Sequence, residues 1–133
     1  MVLHISIIAP DRTVWDADAE EVILPSSTGQ LGILRGHAPL LTALDVGVMR
    51  VRIDKEWIPI VLMGGFAEVE NDQLTILVNG AEEGSKINKL EAEKNLEEMT
   101  VRFNDAVTNK EKIEATQNLR KARARVQAAT NYL

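Results

Sequence analysis

The chain contains no cysteine, which removes disulfides, thiolate-ligated zinc and thiol catalysis together and leaves the redox compartment unmarked. Aromatic residues are scarce: two tryptophans, two phenylalanines and one tyrosine among 133 residues provide no series of rings for stacking nucleobases. Histidine occurs only as His4 and His37, so metal chemistry would have to draw on those two and on carboxylates. No apolar run approaches the roughly 20 residues that a membrane-crossing helix needs. The opening "MVLHISIIAP" lacks the basic stretch and long apolar core of a secretory leader and reads as a mature, soluble N-terminus. Glycine and proline are missing from one part only. All eight glycines and all four prolines stand at or before Gly84, and the remainder has neither, which marks a boundary there.

Charge divides at the same place. Through Gly84 five cations face thirteen acids, a net of −8; from Ser85 onward ten cations face seven acids, a net of +3. The overall −5 therefore conceals two units, residues 1–84 and 85–133, that favour different partners.

In the first unit, period two recurs. Leu3, Ile5 and Ile7 alternate with His4 and Ser6; Met49, Val51 and Ile53 alternate with Arg50 and Arg52; Leu74, Ile76 and Val78 follow the Asn71–Asp72 turn. Further turn signals stand at Asp54–Lys55, Gly64–Gly65 and Asn79–Gly80, and Pro59 in "WIPIVLM" marks an edge strand or a bulge. The pattern predicts a β-sandwich or flattened barrel of about eight to ten strands.

The second unit changes to helical spacing. Ala92, Leu96, Met99, Phe103 and Ala106 form one stripe, and Ala115, Leu119, Ala122, Val126, Ala129 and Leu133 form another. Asn88-x-x-Glu91 and Thr108-x-x-Glu111 have the form of capping boxes, with Ile87 placed to staple against Ala92, so helices start near Asn88 and Thr108. The short link "DAVTN" makes them an antiparallel hairpin. Its alanine-rich seams bury little area, which predicts a hairpin that is only marginally stable and able to leave its docking place.

No catalytic constellation emerges. "STGQLGILRG" offers Gly29, Gly32 and Gly36 to an anion, but no Gly-Lys-Ser/Thr follows, and the glycines lie among strand residues. His37 has no accompanying nucleophile pattern and reads as a turn or interface residue. His4 belongs to the wetter face of its strand. Asp16, Asp18, Glu20 and Glu21 read as a solvated strand edge before a cation site. The basic stretch "NLRKARARVQAATNYL" remains, with Arg120, Lys121, Arg123 and Arg125 spread over the arc that the apolar stripe leaves free. It has no acid after Glu114 to pair with inside the helix. An acidic protein partner, nucleic acid and an anionic membrane all suit it. The acidic first unit would repel phosphates, and the stripe is mostly alanine with Tyr132 as its one interfacial aromatic.

"ILPSSTGQLGILRGHAPLLTALDVGVMRVR" resembles the signature segment of the epsilon subunit of F-type ATP synthases, and the whole layout is similar to the chloroplast and cyanobacterial branch of that family. The resemblance implies a non-catalytic rotor subunit of the central stalk, without a cofactor or metal. In this reading the sandwich joins the gamma subunit to the c-subunit ring and the hairpin inhibits ATP hydrolysis. Gly29, Gln30 and Leu31 match the segment that meets the c ring, with Gln30 where several relatives carry Glu. His37, Ala38, Pro39 and Leu40 match the segment associated with gamma. Arg120, Lys121, Arg123 and Arg125 match the basic face that meets an acidic segment of the beta subunits, beside alpha. "INKLEA" matches an ATP-binding motif of some bacterial relatives at Ile87 and Ala92, but Asn88 and Glu91 replace its Asp and Arg, which implies weak or no ATP sensing. The implied location is the stromal or cytoplasmic side of the thylakoid membrane, reached through the complex alone. The competing expectation is a nucleic-acid-binding module that uses the basic C-terminal helix.

Overall fold

The structure, a computed structural model, describes residues 2–130; Tyr132 and Leu133, named above in the basic helix, lie outside that range. Apolar alternation produces β1 (Leu3–Ala9), β2 (Arg12–Ala19), β3 (Glu21–Ser26), β4 (Gly29–Leu34), β5 (Leu40–Ile53), β6 (Glu56–Glu70), β7 (Gln73–Val78) and β8 (Ala81–Glu83). The order β2-β1-β7-β6-β5-β3-β4, with β8 beside β6, is antiparallel except where β1 runs parallel to β7. Two of the predicted turns close hairpins with positive φ at both central residues, Asp54–Lys55 between β5 and β6 and Asn71–Asp72 between β6 and β7. Such turns match the twist of the strands they join.

Gly64–Gly65, expected to be another turn, lies inside β6 instead. Before it, Ile58, Ile60 and Leu62 point into the core; after it, Ala67 and Val69 do, so the inward parity changes from even to odd. β5 makes the matching change between Leu44 and Met49. The two long strands thus cross from one half of the sheet to the other, and the halves close on each other as a sandwich. Gly65 has φ of 150°, and a Cβ there would stand 2.0 Å from the Leu77 carbonyl oxygen. No larger residue fits. Between the halves lie Leu3, Ile5, Ile7, Leu24, Ile33, Met49, Ile60, Leu62, Leu74 and Ile76, all fully buried and all from residues before Val78. This core needs nothing from the hairpin. Pro59 sits where β6 pairs with β5 on one side only, because β8 covers just Ile60–Leu62 on the other.

A 3-10 turn at Gly84–Lys86 leads to α1 (Lys89–Asp105) and α2 (Asn109–Ala129). The caps are those the sequence predicts: the Asn88 side chain accepts from the Glu91 amide and the Thr108 hydroxyl oxygen accepts from the Glu111 amide, each at 3.1 Å. Ile87 and Ala92 are buried in one cluster, as the staple requires. Ala115, Leu119 and Ala122 are buried, whereas Phe103, assigned to the α1 stripe, is 42% exposed. α2 carries a second buried face that the single-stripe reading missed. Ala124 and Ala128 lie on Val61 of β6, with Val48, Met63, Val126 and Ala129 around them. The hairpin is therefore held to the sandwich by α2, and mostly through methyl groups.

Hydrogen exchange of the intact chain is expected to show much lower protection in α1 and α2 than in β1, β6 and β7. Equal protection after Ser85 would refute the marginal docking predicted from the alanine seam.

Candidate interaction surfaces

Gly29, Gln30 and Leu31, expected as part of a turn, are instead the first residues of β4; the turn itself is Ser27 and Thr28, and it is fixed from within. The Ser26 hydroxyl donates to the Gly29 carbonyl at 2.6 Å and accepts from the Thr28 amide at 3.3 Å, and Gly29 adopts φ of 124°. β4 is an edge strand, so its first residues stand at a margin of the sheet. Arg50 of β5 donates from Nη2 to Gln30 Oε1 at 2.9 Å. That contact leaves the Gln30 amide nitrogen as the group offered outward.

His37, Ala38 and Pro39 form the loop before β5, and Leu40 begins the strand. His37 Nδ1 lies 2.7 Å from the Ala38 carbonyl oxygen, and the Gly36 amide donates to Asp72 Oδ1 at 2.7 Å. A carboxylate of the chain itself thus occupies one of the amides in the glycine-rich stretch. Ala38 and Pro39 are exposed, and Leu41 next to them is 70% exposed.

Leu41 adjoins a surface that sequence reasoning did not find. The register aligns Ala43 with Phe66, Phe66 with Leu77, and Leu77 with Ile8 across four strands. Phe66 and Leu77 are 56% and 52% exposed, and these residues line an open cavity of about 660 Å³ together with Pro10, Gly65 and Asn79. Two signals were present in the sequence. Phe66 stands on the same parity as Glu68 and Glu70, and Ile76, Leu77 and Val78 are continuously apolar where a half-solvated strand would alternate. An exposed apolar row of this kind marks a contact surface.

The acidic group separates by partner. His4 Nδ1 lies 2.7 Å from Asp18 Oδ1 and Nε2 lies 3.1 Å from Asp16 Oδ1, on the outer face of β1 and β2 as expected. Glu21 pairs with Arg52 at 3.2 Å, and Glu20 accepts from the Lys55 amide at 2.9 Å. No metal-holding group is found among the described residues. The Asp18 hydrogen bond raises the His4 pKa above its ordinary 6.5; desolvation, the next largest effect, opposes it, and the charges of Asp16 and Asp18 and the Asp16 hydrogen bond add to the rise.

On α2, Arg120, Lys121 and Arg123 are exposed. Arg125 departs from the reading of four unpaired cations: Nε meets Glu82 Oε2 at 2.8 Å and Nη2 meets Oε1 at 3.4 Å. The absence of acids after Glu114 said nothing of acids supplied by β8. At the start of α1, Asn88 is engaged in its cap and Glu91 places a carboxylate in the first turn, where it complements the helix dipole and repels phosphate.

A sequence model of the β-sandwich domain of the ATP synthase delta/epsilon chain matches residues 2–84. The chain is 78% identical over 130 residues to the chloroplastic ATP synthase epsilon chain of Guillardia theta, covering 98% of this chain and 99% of that one. The chain belongs to the ATP synthase epsilon-chain family. The epsilon chain of Cyanothece is 61% identical over 132 residues, with 97% of this chain and 96% of the relative covered. A chain in the Euglena gracilis mitochondrial ATP synthase shares the fold, with a TM-score of 0.83 at 20% identity, over 97% of this chain and 81% of that one. Epsilon chains are accessory, non-catalytic subunits, and this family member is one of them. Its chloroplastic relatives imply association with a thylakoid ATP synthase. No described helix is long and apolar enough to cross a membrane. The nucleic-acid reading finds no support among these relatives.

His4 gives the epsilon chain a pH-dependent contribution of definite sign. A raised folded pKa stabilises fully below the unfolded value and is lost as pH rises through the folded one. Urea unfolding at about pH 6 and about pH 8.5 is expected to show His4→Gln narrowing the difference between the two conditions. An unchanged difference would refute the assignment.

Proposed function

We propose that residues 1–84 anchor this chain to the rotor of a proton-translocating ATP synthase and that residues 85–133 form an arm that restrains ATP hydrolysis. The observation that carries the reading is the way α2 is mounted. Alanines face the sheet, and Arg120, Lys121 and Arg123 face outward, so the arm can leave at small cost and carries charge to a new partner. The partner is an acidic segment of the beta subunits, beside alpha, met by Arg120, Lys121, Arg123 and Arg125. Gamma docks on Leu41, Phe66 and Leu77 together with the loop His37, Ala38, Pro39 and Leu40, where apolar area is exposed on a domain of net charge −8. The start of β4, Gly29, Gln30 and Leu31, meets the polar loops of the c ring and contributes a hydrogen bond from the Gln30 amide. The chain stands on the stromal or cytoplasmic side of the thylakoid membrane, held there by the complex, and binds neither nucleic acid nor a cofactor.

The test is reconstitution of an ATPase complex lacking its epsilon subunit, using the intact chain and a chain ending at Gly84, whose core is complete without the hairpin. Both are expected to bind and only the intact chain to slow hydrolysis. Equal inhibition by both, or binding by neither, would overturn the reading. Phe66→Asp is expected to weaken binding on the order of tenfold or more, the worth of one buried phenyl ring.

Asn88 and Glu91, committed to the first turn of α1, support the view that Ile87–Ala92 does not sense ATP. Calorimetric titration of the isolated chain is expected to show no micromolar binding; such affinity would sink that view.

A further inference from the structure

We propose that the sandwich face beneath α2 imitates the arm's target: Glu82 holds Arg125 while the arm is docked and competes for it with the acidic partner. The proposal rests on the inhibitory reading of the hairpin given above, and it divides the four cations into two kinds. Arg120, Lys121 and Arg123 are exposed, and no ion pair engages them among the described residues. They are available in either state of the arm. Arg125 is available in only one, because its guanidinium meets both oxygens of Glu82 and its side chain is only 28% exposed.

The surroundings of that pair concentrate the docking contact in a short stretch. Glu82 lies opposite Val61 in the register of β8 and β6, and Val61 is the fully buried residue on which Ala124 and Ala128 rest. Two residues after Glu82, the backbone of Gly84 passes so close to α2 that a Cβ there would stand 2.5 Å from the Ala128 carbonyl oxygen and 2.9 Å from Pro59. Alanines and a glycine permit this approach but bury little apolar area. The charged contact adds one directional bond to a hold made mostly of methyl groups, and it is the part of that hold an acidic partner can compete for. A planar guanidinium facing both oxygens of a carboxylate is also the contact that lysine cannot reproduce.

Undocking would free this second face as a unit: Arg125 with the small-residue strip Ala124–Ala128. Its complement is a surface with one accessible carboxylate beside a shallow apolar strip, which is the arrangement that Glu82 and Val61 present. One guanidinium serves one such carboxylate at a time. Glu82 therefore sets how readily the arm is released, while the three exposed cations draw it toward an acidic target at longer range.

The experiment uses the intact chain with Glu82→Gln, Arg125→Glu and the double exchange Glu82→Arg with Arg125→Glu. Docking is read by hydrogen exchange at 122–129 in the isolated chain, with the sandwich core as the folding control, and inhibition is read as ATP hydrolysis in the reconstituted complex. Glu82→Gln is expected to accelerate exchange in α2 at least threefold and to deepen inhibition at least twofold. The double exchange is expected to return α2 exchange to within twofold of the unaltered chain while inhibition remains weakened, as it is for Arg125→Glu alone. Unchanged exchange in Glu82→Gln would overturn the latch. Recovery of full inhibition by the double exchange would overturn the competition, since the partner would then have no use for Arg125. If exchange responds as expected but a chain ending at Gly84 inhibits as fully as the intact one, the inhibitory reading fails and the competition with it. The latch would then stand on the exchange data alone.

Discussion

What each outer surface of this molecule presents is set by the change of face that β5 and β6 make at Gly64 and Gly65. Strands of 14 and 15 residues cannot serve both halves of a sandwich without exchanging the parity that points inward. At Gly65 the exchange brings the backbone against the Leu77 carbonyl, where no side chain fits. On one side of that point β6 turns Val61 outward, to be covered by α2. On the other it turns Phe66 outward, where it is 56% exposed among the described residues. One backbone constraint thus separates a face closed by the chain's own helix from a face left for another subunit.

The two contacts differ in kind because their chemistry differs. The bare face presents large apolar groups, aligned across four strands and bordered by Glu68 and Glu70, and suits a lasting association in which area is buried once. The covered face is joined through alanines, a glycine and one charged pair, and such a joint can open without exposing much apolar surface to water. A rotor subunit needs both, one to remain attached under torque and one to change state. The charge division falls at Gly84, with an acidic unit of net −8 before Ser85 and a basic unit of net +3 after it.

Much of this was legible from residue order. The strands with strict alternation, the hairpin turns at Asp54–Lys55 and Asn71–Asp72 and the caps at Asn88 and Thr108 are local events, fixed by the φ preferences and side-chain reach of a few consecutive residues. Of the residues carried over from the family signature, Gly29, Gln30, Ala38 and Pro39 are exposed, whereas Leu31, His37 and Leu40 are half-buried. The misses were of another sort. Gly64–Gly65 has the composition of a turn and differs only in that β5 lies alongside it throughout. Ala124 and Ala128 are as small as the seam residues beside them, so no periodicity could show that α2 is buried on two sides.

The sequence by itself determined the two units, their opposite charges, the secondary structure of each and the family, because these depend on composition and on neighbours in the chain. Only the tertiary structure decided that Arg125 is paired while Arg120, Lys121 and Arg123 are exposed, and that Leu41, Phe66 and Leu77 meet on one surface. The partners concerned are separated by tens of residues. Glu82 and Arg125 are 43 positions apart, and a charge pair across that interval leaves no periodic trace in the sequence for either residue to be recognised by.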